Sequence, residues 1–449
     1  MMKNKSTRDK RFSGFVLLVC TSVLLTFCNS PDKPQTPFTA KDLIAANTVL
    51  LDAAMADVFT PPVASRIFAY AHLTHYLTYQ SLRPKALPNI KGSIHDLAFF
   101  ETPDSTGVEP ELAALLAFSK MGKKLIYSEV FFDNFEQELK AKALKQGYTA
   151  EHLERSQAYA QSVFDQLSSW VDKDHYIETR TYPRYTSTKK PENWRETPPD
   201  YEAALEPFWD NIRPLVIDSL NVYEPATLPI YSTDPQSDFY AMAYEVYAAS
   251  KEHTPAREKT AWFWDCNPVL TIHQGHMIQT IHKFSPPGHW MNIVAQVTAK
   301  DQSNYVATTR AFAFTSIAMF DAIIAVWHYK YKTDLVRPIT YIQENIDPHW
   351  QPVLQTPPFP EYTSGHSAIS GAAAEVLTQL FGSEKSFTDK TQLRFGLEER
   401  SFTSFKAAAN QVNLSRYYGG IHYLMGVQEG GKQGEHIGRQ IIERLNKTQ

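Results

Sequence analysis

Asn304 to Asp334 reads NYVATTRAFAFTSIAMFDAIIAVWHYKYKTD, and its apolar residues recur with the 3.6-residue spacing of a helix. The same spacing runs through AANTVLLDAAMADVF, ASRIFAYAHLTHYLTYQSL, PELAALLAFSKMGKKLIYSEVFFDNFEQELKAKALKQ and TAEHLERSQAYAQSVFDQLSSWV in the first half. In the second half it marks SDFYAMAYEVYAASKEH, NPVLTIHQGHMIQTIHKF, SAISGAAAEVLTQLF and a last helix from about Gln428 to Leu445. Few runs alternate as half-buried strands do. The expectation is an all-α protein of two packed helical bundles, residues 28–175 and 236–449. Residues 176–235 join them, and their Pro, Thr and Tyr content predicts an ordered connector with short helices.

The first 27 residues stand apart. MMKNKSTRDKR is a basic head, FVLLVCTSVLLTF is an apolar run too short to span a bilayer comfortably, and LTFCNSPDKPQT follows with a polar tether. This predicts an export signal, with Cys28 as a lipidated first residue of the mature chain in the periplasm or on the outer cell surface. Membrane contact is then through the lipid anchor alone. The net charge of −4 becomes −8 once residues 1–27 are removed, which argues against nucleic acid as a partner. With Cys20 removed and Cys28 acylated, Cys266 is the remaining cysteine, so no intrachain disulfide is expected.

Three short runs carry cations, hydroxyls and histidines. In KYKTDLVRP, Lys330 and Arg337 lie two helical turns apart and share a face if the helix holds. In PEYTSGHSAISGAAAEVL, Pro360 to Leu377, a turn bearing Ser364, Gly365 and His366 opens a helix of small residues. In LSRYYGGIHYLMG, the Gly419-Gly420 pair breaks the helix and lets Arg416 and His422 converge. Together they form a socket for a tetrahedral oxyanion, with charge from Lys330, Arg337 and Arg416, and a hydroxyl from Ser364. Gly365 offers its backbone N–H, and the helix behind it turns its positive end to the anion. Two histidines remain, one to bond the central atom and one to move protons.

The lysine followed after six residues by Arg-Pro, the Ser-Gly-His at 364–366, and Ser-Arg with a histidine six after the arginine resemble a known signature. It is that of the superfamily uniting vanadium-dependent haloperoxidases with type 2 phosphatidic acid phosphatases and bacterial acid phosphatases. The resemblance implies vanadate, one per chain, bound by His422, Lys330, Arg337, Ser364, Gly365 and Arg416, with His366 and Lys330 catalytic. In the phosphatase alternative, His422 attacks phosphorus and His366 protonates the leaving alcohol.

The length and the extra N-terminal half favour the haloperoxidase branch. Thr363 and Gly426 stand where the phosphatase pattern has Pro and Asp, which leaves His422 to be oriented by a backbone carbonyl. Trp327 and Phe359 match the halide-side wall of haloperoxidases, although aromatic residues there are equally suited to a core. The expected partners are hydrogen peroxide, a halide, with iodide or bromide favoured, and a small organic acceptor. Lys330 could instead pair with Asp334 on a helix surface. His273, His276 and His282 lack a further ligand in a zinc pattern and are read as structural or pocket-lining. PPGHW, Pro286 to Trp290, is read as a tight turn.

Overall fold

Helices begin where the sequence supplies caps. Thr39, Thr149, Ser237, Thr254, Ser285, Asn304, Ser364 and Ser404 each accept a backbone N–H of the first turn that follows. The computed structural model describes residues 38–97, 101–252 and 254–447, so the export signal and Cys28 lie outside the described residues. The first half holds α1 (Ala40–Ala56), α2 (Pro61–Leu82), α3 (Pro110–Leu125), α4 (Val130–Lys145), α5 (Ala150–Val171) and the single turn α6 (Tyr176–Thr179). After the connector come α7 (Asp238–Lys251), α8 (Pro255–Phe263), the hairpin β1 (Val269–Gln274) and β2 (Met277–His282), α9 (Pro286–Lys300) and α10 (Tyr305–Thr333). Then follow α11 (Pro338–Asn345), α12 (Gly365–Phe381), β3 (Phe387–Asp389), β4 (Arg400–Phe402), α13 (Phe405–Tyr418) and α14 (Leu424–Asn446). Among the described residues the fold is all-α but for two small two-stranded sheets.

α10 is the axis. It is long and apolar enough to cross a membrane, yet 94% of its most apolar window is buried by α2, α9, α12 and α14. The main apolar cluster runs from Phe38 to Leu445, with a smaller one around Phe239, Tyr341 and Tyr423 and another at Ala261, Leu354 and Ile421. α14 approaches α12 backbone to backbone, because a Cβ on Gly434 would lie 2.0 Å from the Ala368 carbonyl oxygen and one on Gly371 2.5 Å from that of Gly431. The connector is held to α10 by Asp321, whose buried carboxylate accepts the amides of Leu215, Val216 and Ile217 at 2.7, 2.8 and 3.0 Å.

Three expectations change. NPVLTIHQGHMIQTIHKF is a hairpin, with Val269 opposite His282 and a turn at Gly275, whose φ is +60°. Its β-branched residues and turn glycine outweigh a helical reading. His273, His276 and His282 are consequently exposed, and His273 pairs with Asp200 at 2.7 Å. The long run from Pro110 breaks between α3 and α4, where the Asp57 carboxylate captures the amides of Tyr127 and Ser128. PPGHW is the first turn of α9, with proline where no N–H is needed.

Candidate active site

α10 ends three residues after Lys330, at Thr333, and the following Asp334 adopts the left-handed conformation with φ +47°. Lys330 and Arg337 therefore do not share a helical face. The chain turns, and Arg337 is the last residue before α11. Asp334 bonds to Tyr185 and Asn193, and its own carbonyl accepts the Trp194 amide. Lys330 Nζ instead donates to the carbonyls of Pro360 and Glu361, each at 3.0 Å, so it is no surface helix pair.

The three runs meet. Arg337 donates through Nε to Phe359 O at 2.8 Å and through Nη1 to Ile421 O at 2.7 Å, with Nη1 3.2 Å from His422 Nε2. Ser364 caps α12 and accepts the Ser367 hydroxyl at 3.0 Å, while its amide donates to Gly426 O. Gly365 abuts the Trp327 ring and the Lys330 stem, where a Cβ would sit 3.2 and 3.8 Å away. α13 ends at Tyr418 and Gly420 takes φ +73°, which redirects the chain between Arg416 and His422. Arg416 is buried, donating to Ala261 O at 3.4 Å.

Gly365, His366, Arg416 and His422 line a cavity of about 210 Å³ with Trp327 and Phe359, whose rings lie 5.2 Å apart. Both aromatic residues are thus on the cavity wall as well as in the core. Lys330, Arg337 and Ser364 are wholly buried beside it. Burial pushes Lys330 well below the lysine range, helped by Arg337 and opposed by Glu361. Burial likewise brings Arg337 down to about 10 and lowers Arg416. Burial and the neighbouring cations hold His366 and His422 far below the usual histidine value, so both imidazoles are neutral at pH 7.

One functional residue escaped the sequence. Glu361, fully buried, takes His422 Nδ1 at 2.6 Å and the Tyr423 amide at 3.1 Å on the same carboxylate oxygen. A carboxylate, not a backbone carbonyl, orients His422. The lost Asp and the found Glu are linked, since a Cβ on Gly426 would lie 2.3 Å from Glu361 Oε1. The available signal was a glycine at 426, four residues after His422, together with a glutamate at 361 in the run that carries Ser364 and His366. Thr363, in place of the phosphatase proline, donates to Gln433 Oε1 at 2.7 Å and ties the turn to α14.

A sequence profile described as the VCPO second helical-bundle domain matches residues 310–449. The crystal structure reported as the first bacterial vanadium-dependent iodoperoxidase is 38% identical to this chain, and the match covers 92% of this chain and 98% of that one, with a TM-score of 0.85. The chain belongs to the vanadium-dependent haloperoxidase family. Within that family the fold also extends to holo-type and apo-type structures of a bacterial vanadium-dependent chloroperoxidase. They are 16% and 17% identical, cover 89% and 87% of this chain and 96% of their own, and give TM-scores of 0.65 and 0.61. A comparison with curated proteins finds no match.

The site suits the family's cofactor. Glu361 stands beside Lys330 and Arg337 and Asp265 beside Arg416, and two polar atoms, Arg337 Nη2 and His366 Nε2, are buried with no hydrogen-bond partner among the described residues. Burying cations without counter-charge is costly, and an oxyanion removes the deficit.

Proposed function

We propose that this chain oxidises iodide or bromide with hydrogen peroxide to hypohalous acid, using one vanadate held by His422, Lys330, Arg337, Ser364, Gly365 and Arg416. What carries the proposal is a cavity that Arg416, His366 and His422 share with the Trp327–Phe359 wall, with Lys330 and Arg337 packed against the Phe359 ring at 4.9 Å each. When bound, vanadate supplies a Lewis acid that stays in its highest oxidation state and activates peroxide.

The residues divide the remaining work. Glu361 accepts the Nδ1 proton of His422 and so leaves Nε2 with the lone pair that a metal ligand needs. Arg337, anchored through two other nitrogens, keeps Nη2 for an oxygen. Anionic charge beside Lys330 opposes the lowering that burial causes and favours its charged form, and the Trp327 and Phe359 rings, 5.8 and 4.9 Å from Nζ, limit water there. His366 Nε2 holds or releases a proton at the cavity face. The wall suits a large, weakly hydrated anion, and the iodoperoxidase likeness supports iodide. Because Glu361 also equips His422 as a nucleophile, the substitution at 426 no longer argues against phosphatase chemistry. The wall and the family carry that choice.

The test uses the full chain, stripped of phosphate and metals and then loaded with vanadate. Triiodide formation from peroxide and iodide, with bromide in parallel, is the expected result. Hydrolysis of p-nitrophenyl phosphate without halide oxidation would overturn the proposal. We also propose that the chain is exported and held to a membrane by lipid on Cys28. Unchanged membrane association of a Cys28→Ala variant would refute the anchor.

A further inference from the structure

The cavity that receives the oxidant carries a second reactive constellation on its wall. Cys266, 2% exposed and a cavity-lining residue, has Sγ 3.2 Å from His289 Nδ1. His289 Nε2 lies 2.6 Å from Asp389 Oδ2, and Asp389 Oδ1 is fixed by the Thr391 amide at 2.9 Å. Trp264 stacks on the imidazole at 4.7 Å. α8 and its following loop, α9 and β3 thus bring sulfur, imidazole and carboxylate into one line. Burial opposes charge on His289, but Asp389 and Cys266 overcome it and raise the imidazole to about 10. At neutral pH both ring nitrogens donate, Nε2 to the carboxylate and Nδ1 to sulfur.

A sulfur that accepts from an imidazolium, itself oriented by a carboxylate, is arranged as an activated nucleophile. Nothing in the halide chemistry above uses it. The nearest electrophile is the one made in the same cavity.

We propose that Cys266 is an oxidative modification site, its sulfur converted to sulfenic acid by hypohalous acid leaving the socket. The source of oxidant rests on the halide-oxidising function. With iodine as the halogen, the Cys266 sulfur attacks iodine of hypoiodous acid, the S–I bond forms, and hydroxide leaves with the thiol proton as water. Water then displaces iodide at sulfur and releases one proton. The sum is thiol plus hypoiodous acid giving sulfenic acid, iodide and a proton, with sulfur oxidised and iodine reduced by two electrons. A thiol reductant restores the cysteine.

The test is peptide mapping of the full chain after trapping with dimedone. Vanadate-loaded protein turning over peroxide and iodide should yield the trapped adduct on the Cys266 peptide, and dithiothreitol added before dimedone should abolish it. Vanadate-free protein given hypoiodous acid should be modified at the same residue, roughly tenfold slower in His289→Gln or Asp389→Asn. Triiodide accumulating while the Cys266 peptide keeps a free thiol would overturn the proposal. So would native Cys266 that resists added hypoiodous acid yet reacts once denatured. Modification by added hypoiodous acid with no triiodide in turnover would uphold the site and reject the proposed function instead.

Discussion

His422 Nδ1 and Glu361 Oε1 are 2.6 Å apart, both buried, and this contact decides which nitrogen of His422 faces the socket. Glu361→Gln keeps the shape but removes the acceptor charge. Vanadate affinity should fall by about 10–100-fold, as for other groups that orient metal-bound histidines, measured by equilibrium dialysis.

Gly426→Ala attacks the same contact from the other side. Its Cβ meets the carboxylate, so Glu361 must shift. The variant should lose vanadate affinity in step with Glu361→Gln and cost about 1–3 kcal/mol in urea unfolding, the range for overpacking a closed site. Normal affinity in a destabilised Gly426→Ala protein would show that Glu361 is not needed.

The two histidines should separate. His422→Ala should lose vanadium, whereas His366→Ala, which removes a side chain with an unpartnered Nε2, should retain it and lose about 10²–10⁴-fold in turnover. Vanadium content by elemental analysis beside triiodide rates distinguishes them.

His289 gives the stability a pH signature. Asp389 and Cys266 face it directly, and His366 couples to it across the cavity. Its folded value of about 10 exceeds the ordinary 6.5, so its contribution is complete below pH 6.5 and is lost as pH rises through 10. The urea midpoint of the native chain should therefore fall over that window more steeply than that of His289→Gln. Parallel curves would mean that the imidazole is neutral when buried.

Helices with caps and 3.6-residue spacing could be read from the chain, and α10 and α12 lie within a few residues of their expected bounds. What could not be read depends on partners distant in sequence. The β1–β2 segment satisfied helical spacing because Val269, Ile272 and Ile281 suit either period, and turn chemistry at Gly275 decided it. The Asp57 capture that splits α3 from α4 spans about seventy residues. The socket's runs were recognisable by their residues, but their convergence came from breaks rather than shared faces. Lys330 meets Arg337 only because Asp334 ends the helix. Glu361 was in plain view five residues before His366, and only the folded chain shows its carboxylate against His422.

Val58, Thr60 and Pro61, where α1 gives way to α2, line the same cavity as His366, Arg416 and His422, a few hundred residues further along the chain. Chemistry and admission are therefore encoded a few hundred residues apart. Descendants of this chain can acquire a new clientele by altering that junction while leaving the inorganic centre untouched.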